Sequence, residues 1–215
     1  ELNGILSDYD PQSELSRLSA TAGTGRQVPV SPDLWKVLTG AQEMSQRSQG
    51  AFDVTIGPVV KLWRRARRSG EMPAEDRLQE AMSSVGYRHL RLSGGERNTA
   101  LLKQPAMRLD LGGIAKGYAA DEALRVLREQ GIDQALVDAS GDIALGKAPP
   151  KVDGWQIGIA PLDAKAPPSR TIRLSNRAIA TSGDAWQHVV IGGKRYSHIV
   201  DPRTGLGLTD QSSVT

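Results

Sequence analysis

Asp110, Gly112, Gly113 and Lys116 fall within one stretch, RLDLGGIAKGYAAD (108–121), and their types and spacing suit a phosphate-holding junction. Met107, Leu109 and Leu111 alternate as a short strand, and Tyr118 to Arg128 has helical spacing, which puts the glycines at the turn between the two. Glycine there lets backbone N–H groups approach a ligand closely. The first turn of the following helix offers unpaired N–H groups and the positive end of the dipole, and both favour an anion. Lys116 adds a mobile positive charge. Asp110 repels a phosphate, so its natural part is to hold a divalent cation or to accept from an N–H or hydroxyl of the ligand. The pattern GGxxKG is not P-loop spacing, and such a turn also forms where a helix and a strand merely pack closely.

Further clusters set small residues beside one acid at predicted strand ends: Ala51-Phe52-Asp53, Ser140-Gly141-Asp142 and Thr181-Ser182-Gly183-Asp184. Each alone reads as a turn, because Asp and Ser bond locally to the backbone, and it is their recurrence that points to a site. His198, in YSHIVDPRTG, ends a β-like run just before a sharp Asp201-Pro202 turn, whereas His89 and His188 sit in plain strand contexts. A Ser182, His198, Asp201 triad can be assembled on paper, but nothing in the spacing requires it. Neither GxSxG nor HExxH occurs.

The elements that must position these residues follow from periodicity and punctuation. Glu1 to Leu6 reads as the last turns of a helix, and Ser13 caps a short helix through Leu15 and Leu18 after a turn at Asp10 and Pro11. Ala22 to Val30 reads as loop. Ser31, Pro32 and Asp33 start a strong helix with Leu34, Leu38, Ala41 and Ser45 on one face, ending near Gly50. Phe52, Val54 and Ile56 alternate as a strand broken by Gly57 and Pro58, and Val59, Leu62, Trp63 and Ala66 then mark a helix. Its Lys61, Arg64, Arg65, Arg67 and Arg68 read as a solvated basic face near the helix C-terminus.

Pro73 opens another helix that closes before Gly86. Tyr87 to Leu92 and Thr99 to Leu102 form a hairpin around SGGERN. After the central helix, closed at Gly131, ALVDASGDIALG reads as strand, tight turn, strand. WQIGIA, TIRL, AIATS, WQHVVI and RYSHIV are further strands, with a Pro-rich loop from Pro161 to Pro168. Helices thus dominate the first half and hairpins the second. The expected fold class is α+β, helices packed on a largely antiparallel sheet, in one domain over 1–215 built from two related halves.

Composition narrows the function. The 215 residues are 39% hydrophobic, enough for one sizeable core or two small ones, and the net charge of +3 suits an anionic small ligand. That charge, with a single Phe beside four Trp and four Tyr, gives no nucleic-acid footprint. The absence of Cys excludes disulfides, thiolate metal sites and a Cys nucleophile, while leaving the compartment open. No apolar run nears the roughly 18 residues that span a bilayer. The chain begins at Glu1 without a signal peptide and reads as a processed or trimmed piece.

Taken in order, the motifs resemble one family, the ApbE-like FAD:protein FMN transferases. SDYDPQSELSRL is similar to its Ser-x-Tyr-x-Pro-x-Ser-Glu segment. GAFDVTIGPVVKLW, from Gly50, resembles its Gly-Ala-Phe-Asp block, and RLDLGGIAKGYAAD its Asp-x-x-x-Ile-Ala-Lys-Gly signature. VDASGDI, IATSGD and YSHIVDPRTG follow as its remaining blocks.

The resemblance implies a phosphotransferase-type enzyme. It would use Mg²⁺ to split the FAD pyrophosphate and esterify FMN to a threonine hydroxyl of an acceptor flavoprotein at a Ser/Thr-Ala-Thr type site, releasing AMP. It implies that Tyr9 lies against the flavin or adenine end of FAD, that Ala51, Phe52 and Asp53 hold another part, and that Asp110 and Lys116 contact the ligand. The Gly113 carbonyl would be a metal ligand. Gly113 stands where the family commonly has Ala or Ser, a change that a backbone ligand tolerates. His198 and Ile199 would line the flavin site, with His198, or else Asp184 or the metal alone, serving as base for the threonine; Asp110 is the other catalytic candidate. An FAD pyrophosphatase using water as acceptor and a non-catalytic flavin-binding protein are the rival readings.

The resemblance also implies a periplasmic or inner-membrane-anchored bacterial protein, touching the membrane only through a lipid anchor outside this chain. The family pattern starts earlier, with a Met-Gly-Thr strand, and runs past Ser213 to Thr215 into a metal-binding helix. The chain as given is therefore expected to bind flavin and metal poorly unless those segments are supplied.

Overall fold

The ladder partners of the second half and the helix caps of the first are fixed in a computed structural model that describes residues 1–163, 166–168, 170–183 and 187–215. Two units emerge from it, residues 1–113 with 188–209, and residues 114–187 with 210–215.

The first unit opens with α1 (Leu2–Leu6) and α2 (Glu14–Ser19). The Ser13 hydroxyl accepts from the Ser16 N–H at 3.0 Å, as its N-cap position demands. β1 (Val28–Pro29) follows within the segment expected to be loop, because Val28 and Pro29 pair with Ala100 and Thr99. α3 (Pro32–Arg47) carries its cap at Ser31, whose Oγ accepts from the Leu34 N–H at 3.3 Å. Leu34, Leu38, Ala41 and Ser45 are fully buried, as the helical spacing requires.

Phe52, Val54 and Ile56 do not form the expected strand. The Asp53 carboxylate takes the Thr55 N–H at 2.8 Å and the Thr55 hydroxyl at 2.6 Å, and this local turn wins over an extended ladder. Gly57 and Pro58 begin α4 (Gly57–Ser69) instead of merely breaking a strand. Proline is tolerated in a first turn, and Gly57 is needed because a Cβ there would lie 2.5 Å from the Arg108 carbonyl oxygen.

α5 (Glu75–Ser83) follows, then β2 (Leu90–Ser93) and β3 (Thr99–Leu102), in the antiparallel order β1-β3-β2. Tyr87 to His89, expected within the strand, form a short 3₁₀ turn. Met107, Leu109 and Leu111 are all buried, as their alternation predicts. The strand expected there is reduced, among the described residues, to a parallel bridge between Ile56 and Arg108, with the Asp110 N–H donating to the Val54 carbonyl at 2.8 Å.

The second unit begins with α6 (Ala115–Glu129), which buries Ala120 and Leu124 against Ala144 and Val137. Gly131, at φ +79, follows it as the expected terminator. β4 (Leu136–Ala139), β5 (Asp142–Leu145) and β8 (Ala178–Ala180) form one antiparallel sheet. β6 (Trp155–Ile159) pairs with β7 (Arg170–Leu174), and β9 (Ser182–Gly183) with the terminal Ser213–Val214 strand. The chain returns to the first unit as a hairpin of β10 (His188–Ile191) and β11 (Lys194–Ser197). The class is α+β as expected, but the strands divide among several small antiparallel sheets.

In the first unit α4 is the strut. Val59, Trp63 and Ala66 are buried against Leu78, Ala81 and Met82 of α5 and against Val189, Ile191 and Tyr196 of the hairpin. No described helix is long and apolar enough to cross a membrane.

Candidate functional site

Arg64 organises the charged part of the first unit. It was expected on the solvated face of α4. Lys61, Arg65 and Arg68 are indeed exposed, but Arg64 keeps only 20% of its side chain accessible. One guanidinium nitrogen pairs with Asp8 and the other with Asp110 Oδ2 at 2.8 Å, while the guanidinium carbon Cζ sits 4.2 Å from the centre of the Tyr9 ring. Sequence reasoning missed it because helical spacing separates buried from exposed faces only for apolar residues. A guanidinium that finds two carboxylates leaves no trace in that pattern.

The Asp110 carboxylate is held at both oxygens, since Oδ1 accepts from the Gly112 N–H at 2.8 Å. Burial pushes its pKa up, against the Gly112 N–H; the neighbouring Asp8 adds to the rise, and Arg64 and Arg108 oppose it. Tyr9 is 75% exposed, so the ring rests on Arg64 with much of its surface accessible.

Gly112 and Gly113 lie exposed at the turn, as expected. A Cβ at Gly113 would stand 3.1 Å from Phe52 Cε2, so Phe52 fills the space that an Ala or Ser side chain needs. An Ala or Ser there, as the family commonly has, would require the Phe52 ring to shift by a few tenths of an ångström. Asp53 is buried, and its second oxygen accepts from the Tyr87 N–H at 2.8 Å, so in this structure its carboxylate joins the Ala51–Asp53 segment to the loop after α5.

His198 and Ile199 lie just after β11, in a loop whose two arms hydrogen-bond to each other. The Ser197 N–H donates to Leu208, Leu208 to Ile199 and Asp201 to Leu206, at 2.8, 2.9 and 2.9 Å. Trp63 pins the loop from beneath, its indole N–H donating to the Gly205 carbonyl at 2.7 Å. Asp201, at the turn that follows, pairs with Arg203 at 3.1 Å. Arg203 claims both of its carboxylate oxygens and holds its pKa below the usual range, the side-chain bond contributing most and the Arg203 backbone N–H next.

In the second unit, Lys116 lies in the first turn of α6, which has no side-chain cap and no acid. Its ammonium is 3.3 Å from the Ser140 carbonyl and 3.4 Å from Asp142. Ser140 and Gly141 take φ of +60 and +93, a tight hairpin turn that brings the Ser140-Gly141-Asp142 cluster to the lysine. Thr181 Oγ1 meets Thr215 Oγ1 at 2.9 Å beside β9, while Asp184 lies outside the described residues. Among the described residues, no group of three or more His, Cys, Asp or Glu side chains is placed to hold a metal ion.

The pattern of the ApbE family matches residues 1–215, and the chain is a member of that family.

The curated FAD:protein FMN transferase of Treponema pallidum is 36% identical over 98% of this chain and 62% of its own length. That of Haemophilus influenzae is 32% identical over 95% and 61%. Among solved structures, the flavin transferase ApbE from Vibrio cholerae superposes with a TM-score of 0.85 at 33% identity, covering 97% of this chain and 66% of that one. The ApbE protein from Thermotoga maritima gives a TM-score of 0.87 at 26% identity, covering 99% and 68%. The chain thus spans about three fifths of the length of the curated relatives it matches.

Proposed function

We propose that the protein is an FAD:protein FMN transferase, moving FMN from FAD to a threonine hydroxyl of an acceptor flavoprotein with release of AMP. The observation that carries this is the family match over the whole chain, with relatives bearing that name. In the reaction the threonine oxygen attacks the FMN phosphorus, the bond to the bridging pyrophosphate oxygen breaks, and AMP leaves with the negative charge. The hydroxyl proton passes to a base, for which His198 is the candidate.

Tyr9 would stack on a flat ring of FAD, which its 75% exposure permits. Asp110 would accept from an N–H or hydroxyl of the ligand, and Lys116 would neutralise phosphate charge. Ala51, Phe52, Asp53 and Ile199 complete the assignment. For Asp53 the reading favours the backbone around it, because Thr55 and Tyr87 already occupy its carboxylate.

Mg²⁺ binds with few protein ligands, supplemented by phosphate oxygens and water, and a hard backbone oxygen such as that of Gly113 suits it as one member of such a set. When bound, it would supply charge neutralisation on the pyrophosphate. The rest of the reading comes from the family resemblance: an acceptor with a Ser/Thr-Ala-Thr type site, a duplicated T-fold-like core, and a periplasmic, lipid-anchored setting in a bacterium.

The test is mass spectrometry of an acceptor peptide incubated with FAD, Mg²⁺ and the full-length protein, with Asp110→Ala as control. A mass gain equal to FMN minus water, lost in the control, supports transfer. Free FMN and AMP without a labelled peptide would replace it with pyrophosphatase activity. Tight FAD retention with no AMP would leave a binding protein.

A further inference from the structure

We propose that Arg64 is the positioning residue of this site, fixing the Asp110 carboxylate and the Tyr9 ring in one rigid arrangement; the inference rests on the transferase reading. Its partners come from two sequence motifs far apart in the chain: Asp8 and Tyr9 from SDYDPQSEL, and Asp110 from RLDLGG. Arg64 is where those motifs meet.

The physical case begins with cost. Removing a guanidinium from water is unfavourable unless its charge and donors are matched, and here desolvation is the largest influence on Arg64. The match comes from Asp8 and Asp110, whose side chains are 10% and 9% exposed. Without a cation between them these two carboxylates repel each other, and Asp8 already disfavours ionisation of Asp110. Arg64 offsets that repulsion, and with the Gly112 N–H on the other oxygen it stops the Asp110 carboxylate from rotating.

Lysine cannot do the same. An ammonium is a point charge, whereas the planar fork reaches two carboxylates while its central carbon lies over the Tyr9 ring. The cation behind Tyr9 also holds that ring in place. Arg64 is itself well placed to do this, because α4 is anchored at its first residue and again beside Arg64. Gly57 abuts the Arg108 backbone, and the indole of Trp63 bonds to Gly205.

The test compares Arg64→Gln, Arg64→Lys, Asp110→Asn and the double variant Arg64→Gln/Asp110→Asn in the full-length protein. It reads turnover at saturating FAD and acceptor peptide, FAD affinity from flavin fluorescence, and Tm. Arg64→Gln is expected to lower turnover about tenfold or more, since a misplaced group costs that much without being removed. The double variant is expected to be no slower than Asp110→Asn alone, because Arg64 acts through that carboxylate.

Effects that multiply in the double variant, or a lowered Tm with parent-like turnover of the folded fraction, would make Arg64 merely structural and overturn the inference. Arg64→Lys, which keeps the charge, is expected to lose turnover as well, and parent-like turnover there also overturns it. A parent protein that makes no FMN-peptide refutes the transferase reading separately. The Arg64 inference is then decided by the same variants in FAD affinity, where loss in Arg64→Gln without further loss in the double variant supports it. A parent that binds no FAD refutes both.

Discussion

Replacing Trp63 by Phe should cost about 3 kcal/mol of stability and loosen the His198 loop. Trp63 is 2% exposed and Gly205 is buried, so losing the indole N–H strands a carbonyl that water reaches poorly. That stranding costs about 1–3 kcal/mol. The smaller ring leaves a gap between α4, α5 and the β10–β11 hairpin, worth about 1–2 kcal/mol more. The tilted contact with Tyr196, at 5.2 Å between ring centres, is weakened too. Urea unfolding measures the loss, and hydrogen exchange at the Asp201, Gly205 and Leu208 amides measures the loosening. Trp155→Phe is the control. Its N–H also donates to a carbonyl, that of Lys147 at 3.0 Å, but the bond is exposed and water replaces it, so the change should stay near ~0.5 kcal/mol. A loss for Trp63→Phe no larger than that of the control, with unchanged exchange, would refute the strut role of α4.

Gly57→Ala should destabilise by about 2–3 kcal/mol in thermal unfolding, because its Cβ meets backbone at Arg108, which cannot swing aside. Asp53→Asn should cost about 1–3 kcal/mol in urea titration, since one amide oxygen cannot serve the Thr55 and Tyr87 donors together and its NH₂ faces an N–H. For Asp110 the pKa is raised in the folded state, so its own contribution to stability is fully present below the ordinary aspartate range and is lost as pH rises through the folded pKa. Asp110→Asn should remove that decline, matching the parent near pH 3 and equalling or exceeding it at pH 7 in unfolding curves; a variant less stable only at pH 7 would refute the sign. Gly113→Ala should be mild, about 0.5–1.5 kcal/mol by thermal unfolding, if the Phe52 ring gives way as an aromatic side chain does.

The turn glycines at 112 and 113, the caps at Ser13 and Ser31 and the buried face of α3 were legible because each follows from bonds or burial within a few residues. So was the tight turn at Ser140 and Gly141, where positive φ goes with a glycine-containing hairpin. The strand expected at Phe52 to Ile56 was not, since its alternation is real but Asp53 closes a local turn on Thr55. Gly57 looked like a breaker because sequence shows its freedom, not the Arg108 carbonyl pressed against it.

By itself the sequence determined the α+β class, the helix caps at Ser13 and Ser31 and the motif order that marks the ApbE family, and it supplied the candidate site residues. These are local or statistical properties of neighbouring residues. Only the tertiary structure decided which of them meet: that Arg64 leaves the basic face of α4 to join Asp8, Asp110 and Tyr9, and that Trp63 holds the loop after β11. Those partners lie far apart along the chain. Their choice depends on which charges are desolvated together, a balance that exists only once the chain has folded.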